Sequence, residues 1–265
     1  MIRSLEQHME NSFLLFGLVG FLAQLVDGAL GMAYGVVSST VLLSFGVSPA
    51  VTSASVHAAE VFTTAASAGS HIWHRNVNWA LFRVLAPAGI IGGLVGTYVL
   101  TTFDGDIVKP YVAAYLALMG IYILYRAFRN AATVAFHPNS VVIPMGVVGG
   151  TMDAIGGGGW GPVVTTGLVG TGGAPREMIG TVNTVEFFLT VAISAAFLTA
   201  VLTGHWQETK GLADHASAIA GLIVGGVLAA PLAGYVTRIV PPRKLMIAVG
   251  VLISAVASFQ IWRLI

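Results

Sequence analysis

The chain has 265 residues, of which 56% are hydrophobic and only 9% charged, with a mean hydropathy of +0.86 and a net charge of +1. A soluble domain carries about 25% charged residues, so water is not the main solvent here. The near-zero net charge excludes strong steering toward nucleic acid, and the lack of cysteine excludes disulfides, thiolate metal sites and redox thiols.

Residues 1–11 carry Arg3, Glu6 and Glu10 without a basic start or a small-residue cleavage site, so they read as retained rather than as a signal peptide. Four later runs, 28–59, 84–103, 154–175 and 187–207, contain no Asp, Glu, Lys or Arg. Each is long enough to cross ~30 Å of hydrocarbon, which predicts an all-α polytopic membrane protein. In chain order the first half (1–128) holds a long broken segment over 12–46, then spans at 50–70, 82–102 and 108–128. A polar linker, 129–140, joins it to the second half (141–265). There a broken segment over 141–172 precedes spans at 176–203, 216–236 and 245–263, completing one integral membrane domain. Gly89, Gly92, Gly93, Gly96, Gly225 and Gly226 lie inside spans and read as close helix-packing positions. Trp73, Trp79, Trp206, Tyr235 and Trp262 read as interface anchors, and the histidines of "HIWHR" (71–75) belong to that interface rather than to a metal site.

The halves are copies. Asp27–Thr64 lies on Asp153–Thr190 without a gap, and 12 of 38 positions are identical, among them Asp27/Asp153, Gly31/Gly157, Gly35/Gly161, Pro49/Pro175 and Glu60/Glu186. Arginine and lysine gather in 71–83, 129–140 (with Arg126 beside it) and 237–244, whereas 103–109 and 204–214 carry the acids. The positive-inside rule makes the first set cytoplasmic. Segments 71–83 and 204–214 occupy matching places yet fall on opposite sides, so the copies read as two inverted-topology repeats. Inversion requires an odd number of crossings per half. A broken, re-entrant helical hairpin plus three transmembrane helices satisfies it; eight plain spans in parallel repeats is the alternative.

The broken segments carry the functional expectation. Backbone released from a helix at membrane depth is tolerated only where protein buries it or it lines a cavity, and paired breaks in inverted halves point to a transporter's substrate site. Free N–H groups at such a break form an anion cradle that needs no basic side chain. The candidate substrate-binding residues are Gly31, Tyr34, Gly35, Ser38, Ser39, Thr40 and His57, and in the second half Gly157, Gly158, Trp160, Gly161, Thr165, Thr166 and Asn183. The spacing of Gly156, Gly158 and Gly161 also matches a dinucleotide fingerprint, but lacks the strand that motif requires. Asp27, Glu60, Asp153 and Glu186 are coupling or structural acids, each costing roughly 2.5–3.5 kcal/mol at the centre of a span unless paired, protonated or wetted. His57, one turn before Glu60, can relay a proton, whereas its counterpart Asn183 cannot titrate. Asp27 and Asp153, beside the glycines, read as partners for exposed backbone N–H groups. No catalytic residue, metal site or cofactor motif is evident, so the chain does not read as an enzyme.

"GFLAQLVDGALGMAYG" with "GVSPAVTSASVHAAEVFTTAASAGSHI", and "GGTMDAIGGGGWGPVVTT" with "GAPREMIGTVNTVEFF", resemble the sulfite exporter TauE/SafE family, also called the toluene-sulfonate uptake permease superfamily. The resemblance covers essentially the whole chain. It implies a multi-pass protein of the bacterial inner membrane that moves sulfite, a sulfonate such as sulfoacetate, or a related small sulfur-containing anion across the bilayer, several members acting as exporters. Protons as coupling ions and a homodimer stay open. "DGALGMAYG" has two fewer glycines than "DAIGGGGWG", so the two half-sites are not expected to bind alike. An anion channel on the same scaffold and a non-transporting membrane assembly subunit are the alternatives.

Overall fold

The computed structural model describes residues 2–129, 138–206, 212, 213, 215–239 and 241–264. All regular structure among them is helical: α1 (Ile2–Leu30), α2 (Tyr34–Ser44), α3 (Pro49–Trp73), α4 (Trp79–Thr102), α5 (Gly105–Ala127), α6 (Asn139–Gly156), α7 (Gly161–Gly170), α8 (Pro175–Leu202), α9 (Ala216–Ile239) and α10 (Pro242–Leu264). Local chemistry sets several starts. Ser48 accepts from the Val51 N–H ahead of Pro49, and Asn78 from those of Ala80 and Leu81. α1 begins at Ile2, ten residues before the expected start of the broken segment, because residues 2–11 continue the helix.

α4, α5, α8 and Arg243–Trp262 within α10 are long and apolar enough to cross a membrane, and shorter apolar stretches occur in α1, α2, α7 and α9. The distribution of side chains is that of a protein in lipid. Leu14, Leu18, Ile91, Tyr111, Leu118 and Ile121 face outward, while Ser38, Ser39, Ser53, His57, Glu60, Asp153 and Thr184 are buried. α3 is not among the apolar spans; packed against α8, α9 and α2, it carries much of its polar content facing protein.

Both broken segments fold back on themselves. Phe16, midway along α1, meets Phe45 just past α2, ring centroids 5.8 Å apart. Gly20 packs on Leu222 of α9, and the Tyr34 hydroxyl donates to that same residue's carbonyl at 2.9 Å. In the second half, Met145 of α6 lies beside Gly167 of α7.

Helix pairing maps onto itself when the halves are exchanged: α1–α9 matches α6–α4, α3–α9 matches α8–α4, and α3–α8 and α5–α10 each match themselves. α3 and α8 cross antiparallel. Thr64 meets its counterpart Thr190 at 3.4 Å, while further along α3 Ser67 and His71 lie beside Asn183, earlier in α8. Equally, Gly120 of α5 abuts Ser254 of α10, and Leu124 abuts Gly250.

The glycines inside the spans are packing positions. A Cβ at Gly92 would overlap the Val147 carbonyl of α6, and one at Gly225 the Gly17 carbonyl of α1. Gly92→Leu should therefore prevent α4 and α6 from seating, since overpacking costs at least ~1–3 kcal/mol where backbone meets backbone. The expected readout is loss of the monodisperse peak on size-exclusion chromatography, while Gly69→Leu, with open space around it, keeps that peak. Trp73, Trp79 and Trp262 are exposed, as interface anchors should be. Trp206 differs: it is buried against Phe197, centroids 5.3 Å apart, because the chain after α8 bends inward beneath that helix's end. The Tyr235 side chain, linker residues 130–137 and loop residues 207–211 and 214 lie outside the described residues.

Candidate functional site

The two hairpin tips meet in the middle of the helix assembly. At the first, α1 ends and α2 begins across Gly31, Met32 and Ala33, with Gly31 at φ +67° and Ala33 at φ +125°. At the second, α6 closes on Gly157 in the left-handed conformation, φ 64°. Each returning helix starts with N–H groups that have no intrahelical partner. The aspartate preceding each break supplies one. Asp27 Oδ1 accepts from the Tyr34 N–H at 3.3 Å, and Asp153 Oδ1 from those of Gly159 and Trp160 at 2.7 and 2.9 Å. A carboxyl oxygen that accepts at the positive end of a helix is stabilising, which is why an acid sits beside the glycines.

The tips are also tied to each other. Ser39 of α2 donates to the Gly157 carbonyl at 2.5 Å, and Thr165 of α7 donates to the Gly31 carbonyl at 2.9 Å. Ser39 and Thr165 are counterparts, as are Gly157 and Gly31, so each hairpin's returning limb holds the opposite tip. The approach is close enough to require glycine. A Cβ at Gly158 would overlap the Val36 N–H and the Gly35 carbonyl carbon, and one at Gly35 would lie 2.6 Å from the Gly158 Cα and 2.7 Å from Glu60 Oε1. At Gly161 it would meet Met32 and the Gly31 carbonyl.

A titratable cluster lies against the second tip. His57 Nδ1 is 2.7 Å from the Ser53 carbonyl, which only accepts, so this nitrogen carries a proton. His57 Nε2 then faces Asp153 Oδ2 at 3.2 Å, and that contact requires one more proton, on the ring or on the carboxyl. The polar atoms of His57, Glu60 and Asp153 lie within 4.8 Å of one another, close enough to share one small cation, a proton included. Glu60 Oε2 and Glu186 Oε2 are buried without a hydrogen-bond partner among the described residues. In the other half, Asn183 donates to Ser67 at 3.0 Å, and it forms no titratable pair among the described residues.

The remaining expected donors are distributed unevenly. The Tyr34 hydroxyl reaches Leu222, Thr40 the Val36 carbonyl of its own helix, Trp160 Nε1 the Val182 carbonyl at 3.1 Å, and Thr166 the Met32 sulfur at 3.7 Å. The Ser38 and Thr52 hydroxyls are buried with no partner among the described residues. The structure adds Ser53, which donates to the Ala154 carbonyl at 2.5 Å and steadies His57. Its position one turn before His57 was the signal available in sequence.

The sequence pattern of the family described as "Sulfite exporter TauE/SafE" matches residues 16–259. The "Probable membrane transporter protein YtnM" of Bacillus subtilis (strain 168) is 40% identical over 261 residues, covering 95% of this chain and 84% of that protein. No solved structure matches. With paired glycine hairpins meeting inside a multi-pass helical membrane protein and a match along nearly its whole length, the chain is a membrane transporter of the sulfite exporter TauE/SafE family.

Proposed function

We propose that the protein is a secondary transporter that exports a small sulfur oxyanion, sulfite or an organosulfonate such as sulfoacetate, by alternating access between inverted repeats. The antiparallel crossings of α3 with α8 and of α5 with α10 support the inverted reading, because counterpart helices in parallel repeats would run the same way. The observation that carries the reading is the reciprocal tie of Ser39 to Gly157 and Thr165 to Gly31. Parting the tips frees two hydroxyl donors and the glycine backbone together, at a point reached from either side by rocking one repeat against the other. An inside-negative potential already drives anion export by ~2.3 kcal/mol per charge per 100 mV. The proton shared by His57 and Asp153 adds coupling, and Glu60 beside it receives the proton when the tip withdraws.

The test is current from purified protein in proteoliposomes on a solid-supported membrane. Sulfite, sulfoacetate, taurine, sulfate and chloride are applied in turn, with and without a pH gradient. A saturable current selective for sulfur oxyanions and altered by the pH gradient is expected. A current that does not saturate would replace the carrier with a channel, and silence with every anion would remove the transport reading.

A further inference from the structure

A cavity of about 530 Å³ opens between α1, α3 and α9 at the end of the molecule bearing 71–83. Its polar lining is Gln24, Ser67, Ser70 and His71, set among small and apolar residues that include Gly28, Ala66 and Pro231. No carboxylate lines it among the described residues. Gln24 is 2% exposed, yet its amide has no hydrogen bond among the described residues. Ser67 accepts from Asn183, which leaves its own proton free. Asn76 Nδ2 meets His71 Nδ1 at 3.3 Å and Asn183 Nδ2 approaches its Nε2 at 3.5 Å, so amide groups flank both ring nitrogens. Near the mouth, Arg176 donates to the Asn76 side chain at 2.6 Å and to the His74 carbonyl at 3.4 Å, adding positive charge by His71. Glu177, at the same end, is held by Asn78 at 2.7 Å.

A cavity in the other half, about 540 Å³ between α4 and α8, has similar volume and different chemistry. Thr97, Thr101, Thr199 and Thr203 line it, but each donates its hydroxyl to a carbonyl of its own helix. It therefore presents methyl groups, and its His205 stacks on Tyr98 and bonds Thr102.

We infer that the α1–α3–α9 cavity is a capture site for a small oxyanion, bound by the Gln24 amide and the Ser67 and Ser70 hydroxyls beside the His71 ring. It lies one side chain from the tips, because Asn183 links Ser67 to the level of Trp160, whose indole is held by neighbouring Val182. The threonine-lined cavity offers no equivalent donors and suits release. Capture at one end only gives the transport path a direction. The inference rests on the anion-transport reading, and its test is kept separate from flux.

The native chain has no cysteine, so Ser70→Cys places a single thiol in the cavity. The measurement is its rate of labelling by a charged maleimide in phosphatidylcholine nanodiscs, with sulfoacetate, sulfate or chloride added. Sulfoacetate and sulfate should slow labelling and chloride should not. Gln24→Leu in the same background should raise the half-protecting concentration about tenfold, the scale of one lost hydrogen bond to a charged ligand. Labelling indifferent to every anion, or slowed equally by chloride, would overturn the site. Protection that appears only when phosphatidylglycerol is added would overturn it too, assigning the groove to a lipid headgroup. Wild-type flux without protection removes this site alone. Protection without wild-type flux removes the transport reading and leaves an oxyanion site.

Discussion

Gly158→Ala should abolish anion flux while the protein still inserts and purifies as a single species. The added methyl has nowhere to go: the Val36 N–H and Gly35 lie within overlap distance, and all belong to backbone that cannot rotate away. The Gly158 backbone, at φ +154°, is also a conformation reserved for glycine. Relief comes only by separating the tips, which breaks the ties of Ser39 and Thr165. Gly158 lies between α6 and α7 rather than inside a helix, so insertion survives. Gly35→Leu and Gly161→Leu press on the same junction from the other tip and from the α7 start, and should also lose transport. We expect a fall of at least ~100-fold in initial flux, the consequence of misplacing a site by an ångström. Normal flux in all three would show that the junction is not on the transport path.

Asp153→Asn should separate the two tasks of this residue. The asparagine carbonyl still accepts from the Gly159 and Trp160 N–H groups, so the α7 start keeps its cap. Its amide donates toward a neutral His57 Nε2, and no proton is needed between them. Transport by this variant should lose its response to a pH gradient while keeping its response to membrane potential. Asp153→Ala removes both tasks and should be less stable than Asp153→Asn by about 1–3 kcal/mol, because two buried N–H groups lose their acceptor. Proteoliposome currents with imposed pH gradients check the first statement, and thermal unfolding in detergent the second. A pH response that persists in Asp153→Asn would move the coupling proton to Glu60 or Glu186, or remove it altogether.

Much of the fold was legible because duplication is a one-dimensional signal. The shared spacing of acid, glycines, proline and second acid located both breaks, and the breaks fixed the number of helices. The capping role of Asp27 and Asp153 was legible for a local reason: a carboxylate a few residues before a glycine break lies within reach of the N–H groups that the break exposes. What could not be read were partners chosen across the molecule. Nothing near Ser39 or Thr165 announces that each holds a carbonyl of the opposite repeat, and the third member of the His57–Glu60 cluster, Asp153, comes from 96 residues away. Likewise Trp206 looked like an anchor because its neighbours are polar, whereas its burial depends on how the chain leaves α8. The Gln24–His71 cavity draws on three helices, two of them in the first half and one in the second, so no single stretch carries it.

The reciprocal tie between tips has a mechanical consequence. Each hairpin serves as latch to its partner and as keeper for the partner's latch, so neither can withdraw alone without freeing the other. The two repeats are thereby geared: one event releases both, and a half-open intermediate has no contacts of its own to stabilise it. Two membrane-buried hydrogen bonds of this type are together worth only ~1–4 kcal/mol. In the proposed carrier that would be firm enough to seal the barrier against leak and weak enough for thermal motion to open it. An oxyanion that took over the freed Ser39 and Thr165 hydroxyls would replace the bonds it interrupts, so that the cargo itself would lower the barrier to its own passage.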